Sequence, residues 1–180
     1  MSRTAVEQAR PNAQISFAVP NALIAEPSVL SVPRTQQGQR NEGAPWDFFV
    51  SHKQNESGRD AALITRDLEQ AGKTVWLDVN MKDLSTDAML EGVEHSKTFV
   101  LVLSHGYFDS KFCVMELSRA VDLRKNIVLC HKEGVNVGAI LQTMPPEFRT
   151  ISDHASLQLV TSDATYREVA VKRLISLSST

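Results

Sequence analysis

From Trp46 onward the chain alternates two kinds of apolar spacing. Short continuous runs rich in β-branched and aromatic residues predict buried strands, and apolar residues at a 3.6-residue period predict helices between them. Trp46-Asp47-Phe48-Phe49-Val50-Ser51 is the first strand, and the polar residues from Ser51 to Ser57 form a loop after it. Ala61, Ile64, Leu68 and Ala71 share one helical face, and Gly72 stops that helix. Thr74 to Asp78 is the second strand, followed by a polar loop from Val79 to Ser85. Ser85, Thr86 or Asp87 caps a helix whose core residues are Met89, Leu90 and Val93. Thr98 to Leu103 is the third strand, and it breaks at Ser104-His105-Gly106. Asp109 or Ser110 caps a third helix, with Cys113, Leu117 and Ala120 on one face. Asn126 to Cys130 is the fourth strand. The stretch from Gly134 to Met144 reads as a short helix ended by Pro145-Pro146. Leu157 to Val160 is the fifth strand, and Tyr166, Val169, Ala170, Arg173, Leu174 and Leu177 mark an amphipathic last helix.

Strand and helix thus alternate about five times. That order predicts an α/β fold, a doubly wound five-stranded parallel sheet with helices on both faces. The flavodoxin-like strand order 2-1-3-4-5 puts the switch point between strands one and three, where ligands bind at the carboxyl ends. Those ends are Ser51-His52-Lys53 and Ser104-His105-Gly106. The segment before Trp46 differs. It holds Pro11, Pro20, Pro27 and Pro33, and its stretch from Arg34 to Ala44 is rich in Gln, Gly and Arg. The expected division is a disordered leader over 1–45 and one domain over 46–178.

Composition narrows the function classes. The net charge is -2 and 22% of residues are charged, so bulk electrostatics favours neither nucleic acid nor a lipid surface. No apolar run approaches the roughly 18 residues that span a bilayer. The only cysteines, Cys113 and Cys130, lie in apolar segments, which fits a reducing, cytoplasmic compartment. His131 and His154 lack metal-ligand spacing with each other or with a cysteine, so no metal site is expected. No glycine-rich dinucleotide fingerprint or P-loop is present. A phosphate-responsive receiver needs acids after strand one and at the end of strand three, where this chain has Ser51-His52 and Ser104.

Three segments carry a resemblance. WDFFVSH, VWLDVNMKDL and FVLVLSHGYFDSKFCVMEL, in that order and spacing, resemble the boxes of the Toll/interleukin receptor (TIR) domain family. The resemblance covers about Trp46 to Leu177. It implies one of two activities. Many TIR domains hydrolyse NAD at the nicotinamide-ribose bond, giving nicotinamide and ADP-ribose or a cyclised product. Others are non-catalytic adaptors that signal through TIR-TIR contacts. In enzymatic members a glutamate on the third helix is essential, and by motif position it corresponds to Glu116. Phe112 stands where some of them carry Trp. Ser51, His52 and Lys53 match positions that approach the substrate; Trp76, Asp78 and Ser104 are further candidates. NAD is then a substrate, with no cofactor implied, and homotypic self-association is expected in a signalling or defence role. One departure weighs against a receptor adaptor: the loop from Val79 to Asp87 has neither the Pro nor the Gly of the adaptors' Arg-Asp-x-x-Pro-Gly pattern.

The chemistry fits one carboxylate. Breaking an N-glycosidic bond builds positive charge on the ribose, which a nearby carboxylate stabilises. Nicotinamide leaves as a neutral group, so no general acid is required. Phe112 and Glu116 are four residues apart and share a helical side, so an aromatic beside the acid would exclude water. Lys53 and His52, with backbone amides after the first strand, are the candidates to hold the diphosphate.

Overall fold

Parallel strands buried on both faces read as near-continuous apolar runs, and the middles of the central strands of this chain supply them. The computed structural model describes residues 45–154 and 156–178. Its strands are β1 (Trp46–His52), β2 (Val75–Trp76), β3 (Ser96–Leu103), β4 (Asn126–Lys132) and β5 (Ser156–Leu159), and all pair in parallel in the order β2-β1-β3-β4-β5. The helices are α1 (Gln54–Gln70), α2 (Thr86–Glu94), α3 (Lys111–Asp122), α4 (Val137–Gln142) and α5 (Ala164–Ser178). The leader expected over 1–45 lies outside the described residues apart from Pro45.

Successive strand residues point to opposite faces. Phe49, Phe99, Leu101 and Leu103 pack under α2, α3 and α4, together with Val93, Leu117 and Ile140. Phe48, Val50, Val100 and Val102 pack under α1 and α5 with Ile64, Leu68 and Leu174. Phe49 stacks between Trp76, at 4.4 Å, and Phe99, at 5.4 Å, so one aromatic row ties the three strands at the switch point together. Each such buried aromatic stabilises by roughly 1.5–3 kcal/mol. α2 lies close over this row: a Cβ at Gly92 would stand 2.6 Å from the Trp76 indole nitrogen.

The register Ser51↔Leu101 and His52↔Val102 brings the ends of β1 and β3 level. Both end in a change of direction. α1 begins at Gln54, directly after β1, where a loop to Ser57 is expected from sequence. Gln54 and Asn55 are exposed, so this first turn carries no apolar period, and Glu56 suits it because a carboxylate is favoured near a helix N-terminus. β3 runs into a 3-10 turn, Tyr107–Asp109, and Ser110 then caps α3 by accepting from the Cys113 N–H. The loop after β2 holds a second 3-10 turn, Asp78–Asn80, and Ser85 caps α2. Pro146 opens a further 3-10 segment, Pro146–Asp153, which the apolar pattern does not show. On α5 the core contacts are Ala170, Val171 and Leu174; Tyr166 and Val169, expected on its apolar face, are exposed.

Candidate active site

The acid on α3 is buried. Glu116 is 7% exposed, and its Oε2 accepts a 2.6 Å hydrogen bond from Ser51 Oγ at the end of β1. Ser51 Oγ is also 2.7 Å from the hydroxyl of Tyr107, which is fully buried in the turn after β3. Burial pushes the Glu116 carboxyl up to about 8; the negative charge of Asp78 adds to the rise and the Ser51 hydrogen bond opposes it. The glutamate therefore holds its proton at neutral pH until something nearby favours the charged form.

His52 is buried next to this group. Its Nε2 is 2.7 Å from Gln54 Oε1 and 3.9 Å from Asp78 Oδ1, and its carbonyl accepts the Cys113 thiol at 3.3 Å. Asp78 is placed by the turn after β2, where its Oδ1 accepts the Val79 N–H at 2.7 Å. Burial lifts the Cys113 thiol to about 11, so it is a packed neutral thiol and not an activated nucleophile. Among the described residues no group of three His, Cys, Asp or Glu side chains is arranged to hold a metal, and no helix is long and apolar enough to cross a membrane.

The structure gathers Ser51, His52, Asp78 and Glu116 and separates the other candidates from them. Lys53 is turned to Glu56, with Nζ 2.8 Å from Oε1. Glu56 Oε2 accepts the Gly106 N–H at 2.9 Å, so this ion pair anchors the loop after β3. The missing side chain of Gly106 leaves room for the pair: a Cβ there would stand 2.6 Å from Glu56 Oε1 and would displace the Lys53 ammonium. Ser104 is buried on the α1 side, where its side chain faces Glu56 and helps to hold that carboxyl down. It lines a cavity of about 220 Å³ together with Glu56, Asp60, Lys132 and Val135, and Glu116 does not reach that cavity. Trp76 is 2% exposed and stacked in the core, where no ligand can reach it. Phe112 is 58% exposed. It stands in the first turn of α3 outside the buried face formed by Cys113, Glu116, Leu117 and Ala120.

Tyr107 is the residue that sequence reasoning missed. Its signal was available: a tyrosine just past a buried strand end brings an apolar ring and a hydroxyl that needs a partner.

A model of the TIR domain family matches residues 48–171, more than half of the chain. The protein belongs to the TIR family. Solved TIR structures share its fold. The TIR domain of the Toll-related receptor TRR-2 from Hydra magnipapillata is 15% identical, with a TM-score of 0.55, covering 75% of this chain and 99% of that one. A TIR-STING receptor from C. gigas, solved in complex with 2',3'-cGAMP, is 21% identical with a TM-score of 0.52, covering 72% of this chain and 40% of that one. The TIR domains of the activated Roq1 resistosome are 12% identical with a TM-score of 0.53, covering 73% of this chain and 98% of those domains. At these identities the likeness speaks for the TIR fold alone. The boxes that resemble the family fall at β1, β2 and β3-α3, the elements around Glu116.

Proposed function

We propose that this TIR domain is an NAD hydrolase that cleaves the nicotinamide-ribose bond, with Glu116 as its working carboxylate. The observation that carries the reading is a buried glutamate at the family's catalytic position, hydrogen-bonded to Ser51 beside the switch point of the sheet. The nicotinamide ring of NAD is a cationic pyridinium. Its approach to Glu116 favours the ionised carboxylate, reversing the effect of burial. The charge is then in place as the bond to nicotinamide breaks and positive charge moves onto the ribose. In a dry site that stabilisation is far larger than in water. Water adds to the ribose carbon to give ADP-ribose, or a nucleophile within the substrate adds to give a cyclic product. His52, beside Asp78, lies at the same strand end for the polar parts of the substrate. The site described here is closed over Glu116, so productive binding requires the loop after β2 or α3 to shift.

The test is nicotinamide release from NAD by the purified protein, against Glu116→Gln. The expected result is a loss of about 10²–10³-fold in kcat, the cost of removing one preorganised electrostatic group. A concentrated wild-type protein that releases no nicotinamide would refute the enzymatic reading. Full activity in Glu116→Gln would refute the site.

A second reading, a TIR adaptor acting through homotypic contacts, draws on a specific feature. Val79 and Leu84, in the loop after β2, are 51% and 56% exposed. Both are apolar side chains that a second copy of the domain would cover on association. Leu84→Glu is expected to abolish self-association, read by light scattering, with thermal stability unchanged within about 0.5 kcal/mol. Association that survives the charge excludes this loop as the contact.

A further inference from the structure

Tyr107 is buried at the centre of the site, yet no step proposed so far uses it. Its hydroxyl, Ser51 Oγ and Glu116 Oε2 form a chain with links of 2.7 and 2.6 Å. Counting protons gives the chain a direction. Ser51 has one hydroxyl proton, and when it is given to the ionised Glu116 the link to Tyr107 can be made only by the phenol donating to Ser51. We infer that Tyr107 is a positioning residue for Glu116: its phenol fixes the Ser51 hydroxyl so that the serine proton points at the glutamate. The inference rests on the reading of Glu116 as the working carboxylate.

The phenol is placed independently of the acid it serves. The Tyr107 N–H donates to the Ser104 carbonyl at 3.1 Å, and the Tyr107 carbonyl accepts the Ser110 N–H at 3.2 Å. Phe108 packs edge-on to the ring at 5.3 Å. The preceding residue, Gly106, is tied to α1 through Glu56. Burial also keeps the phenol protonated, well above its ordinary range, so it remains a donor at every pH the protein meets. Its one other contact is long, 3.5 Å to the Cys113 carbonyl. That contact permits a reversed chain when Glu116 is neutral: the acid donates to Ser51, Ser51 to Tyr107, and Tyr107 to Cys113. The same three groups therefore satisfy either protonation state with no heavy atom displaced; both states keep the two short links, and only the neutral state calls on the long one to Cys113. The other charged or titratable groups around Glu116 are Asp78 after β2, His52 on β1 and Cys113 on its own helix; Lys53 is engaged by Glu56.

The test reads Glu116 directly. Protein labelled with carbon-13 at the glutamate carboxyls is titrated by NMR, with the Glu116 signal assigned through Glu116→Gln. Ser51→Ala removes a hydrogen bond to a charge and is expected to raise the Glu116 midpoint by about one to two pH units. Tyr107→Phe removes the phenol's polarisation of that bond and is expected to raise it by roughly half a unit. It should also lower kcat for nicotinamide release several-fold with KM little changed. A merely structural tyrosine would lower the melting temperature and leave the midpoint in place, and that result overturns the proposal. Should Tyr107→Phe fail to fold, 3-fluorotyrosine replaces it. The chain has two tyrosines, so incorporation into a Tyr166→Phe background labels Tyr107 alone. The fluorinated phenol is a stronger donor, and the midpoint should fall; no change counts against the proposal. The two readings fail separately. A wild type that releases no nicotinamide, with midpoints shifted as expected, ends the enzymatic reading and leaves the positioning role. An active wild type with an unmoved midpoint in Tyr107→Phe does the reverse.

Discussion

Two glutamates meet the loop after β3, Glu56 directly at Gly106 and Glu116 through Ser51 at Tyr107, and they are driven in opposite directions. Glu56, on α1, receives the Gly106 N–H and the Lys53 ammonium, and these donors hold its carboxyl down at about 2. Glu116, on α3, is more deeply buried and receives one neutral hydroxyl, and its carboxyl is pushed up to about 8. Both belong to the same strand end of one sheet. The difference lies in how many donors each acid finds relative to the water it loses. An acid with a backbone amide and a cation is a structural anchor. An acid given one hydroxyl and a neighbouring Asp78 is held short of satisfaction, and a cationic ligand can supply what is missing. Perturbed acids of the second kind concentrate at functional sites.

The contrast breaks most decisively at Glu116. Its folded value lies above the 4.5 of a free glutamate, so the folded protein binds the proton more tightly than the unfolded chain. Its contribution to stability is whole below pH 4.5 and drains as pH rises through about 8, where the folded carboxyl finally ionises. The shift, 8 minus 4.5, corresponds to roughly 5 kcal/mol at most. Glu116→Gln keeps a neutral side chain of the same shape. Above pH 8 it is expected to be more stable than wild type by up to that amount, with the gain vanishing below pH 5, in urea melts across pH. A pH-independent difference would mean that Glu116 is already ionised in the fold.

On the proposed reading the same asymmetry governs the rate. If the free enzyme must present an ionised Glu116, kcat/KM for nicotinamide release falls about tenfold per pH unit below a midpoint near 8 and is flat above it. A profile that is flat from pH 6 to 9 would detach the reaction from this carboxyl.

How much of this was legible beforehand follows the same physics. The strands could be read because β1, β3 and β4 each hold a continuous apolar run, over 48–50, 99–103 and 127–130, buried on both faces, with the polar positions at the strand ends. Glu116 could be assigned from its motif. Its environment could not, because the Ser51 hydrogen bond spans 65 residues and arises only when β1 and β3 pair in register. The expectation that Lys53, in a loop after the first strand, holds the diphosphate has a related origin. The helix beginning at Gln54 has no apolar residue in its first turn, so nothing in the pattern shows that Lys53 and Glu56 share one turn of α1. Phe112 and Trp76 show the limit of face arguments. Spacing gives a direction around a helix or strand, but not depth, and one of these residues is in solvent while the other is in the core.

Glu56 gives a smaller effect of opposite sign. Its folded value is depressed, so its contribution is whole above pH 4.5 and is lost as pH falls toward about 2. Its side chain and that of Lys53 are 30% and 25% exposed, so solvent screening reduces the pair's worth. Glu56→Gln retains an acceptor for Gly106 and loses the ion pair. The expected cost is about 1 kcal/mol at pH 7, with the difference from wild type closing between pH 4.5 and 2. A gap that persists at pH 2 would mean that the pair's charge is not what stabilises the loop.

A last change asks whether the two acids are independent. Gly106→Ala puts a methyl group where the Glu56 carboxylate and the Lys53 ammonium now sit. The Gly106 backbone is at φ -100, a conformation any residue adopts, so the substitution carries no backbone strain. Both displaced groups are the ends of flexible side chains and can swing into solvent. The expected loss is about 1 kcal/mol, the size of one hydrogen bond and a screened ion pair. Tyr107 follows Gly106 directly, but its ring is held by Ser51, Phe108 and the turn's own hydrogen bonds. The Glu116 midpoint should therefore stay near 8 in Gly106→Ala while the Glu56 midpoint rises from about 2 toward 4.5. If both midpoints move, the Glu56 anchor is itself part of what holds the Tyr107 phenol on Ser51, and the two sides of the loop act as one unit.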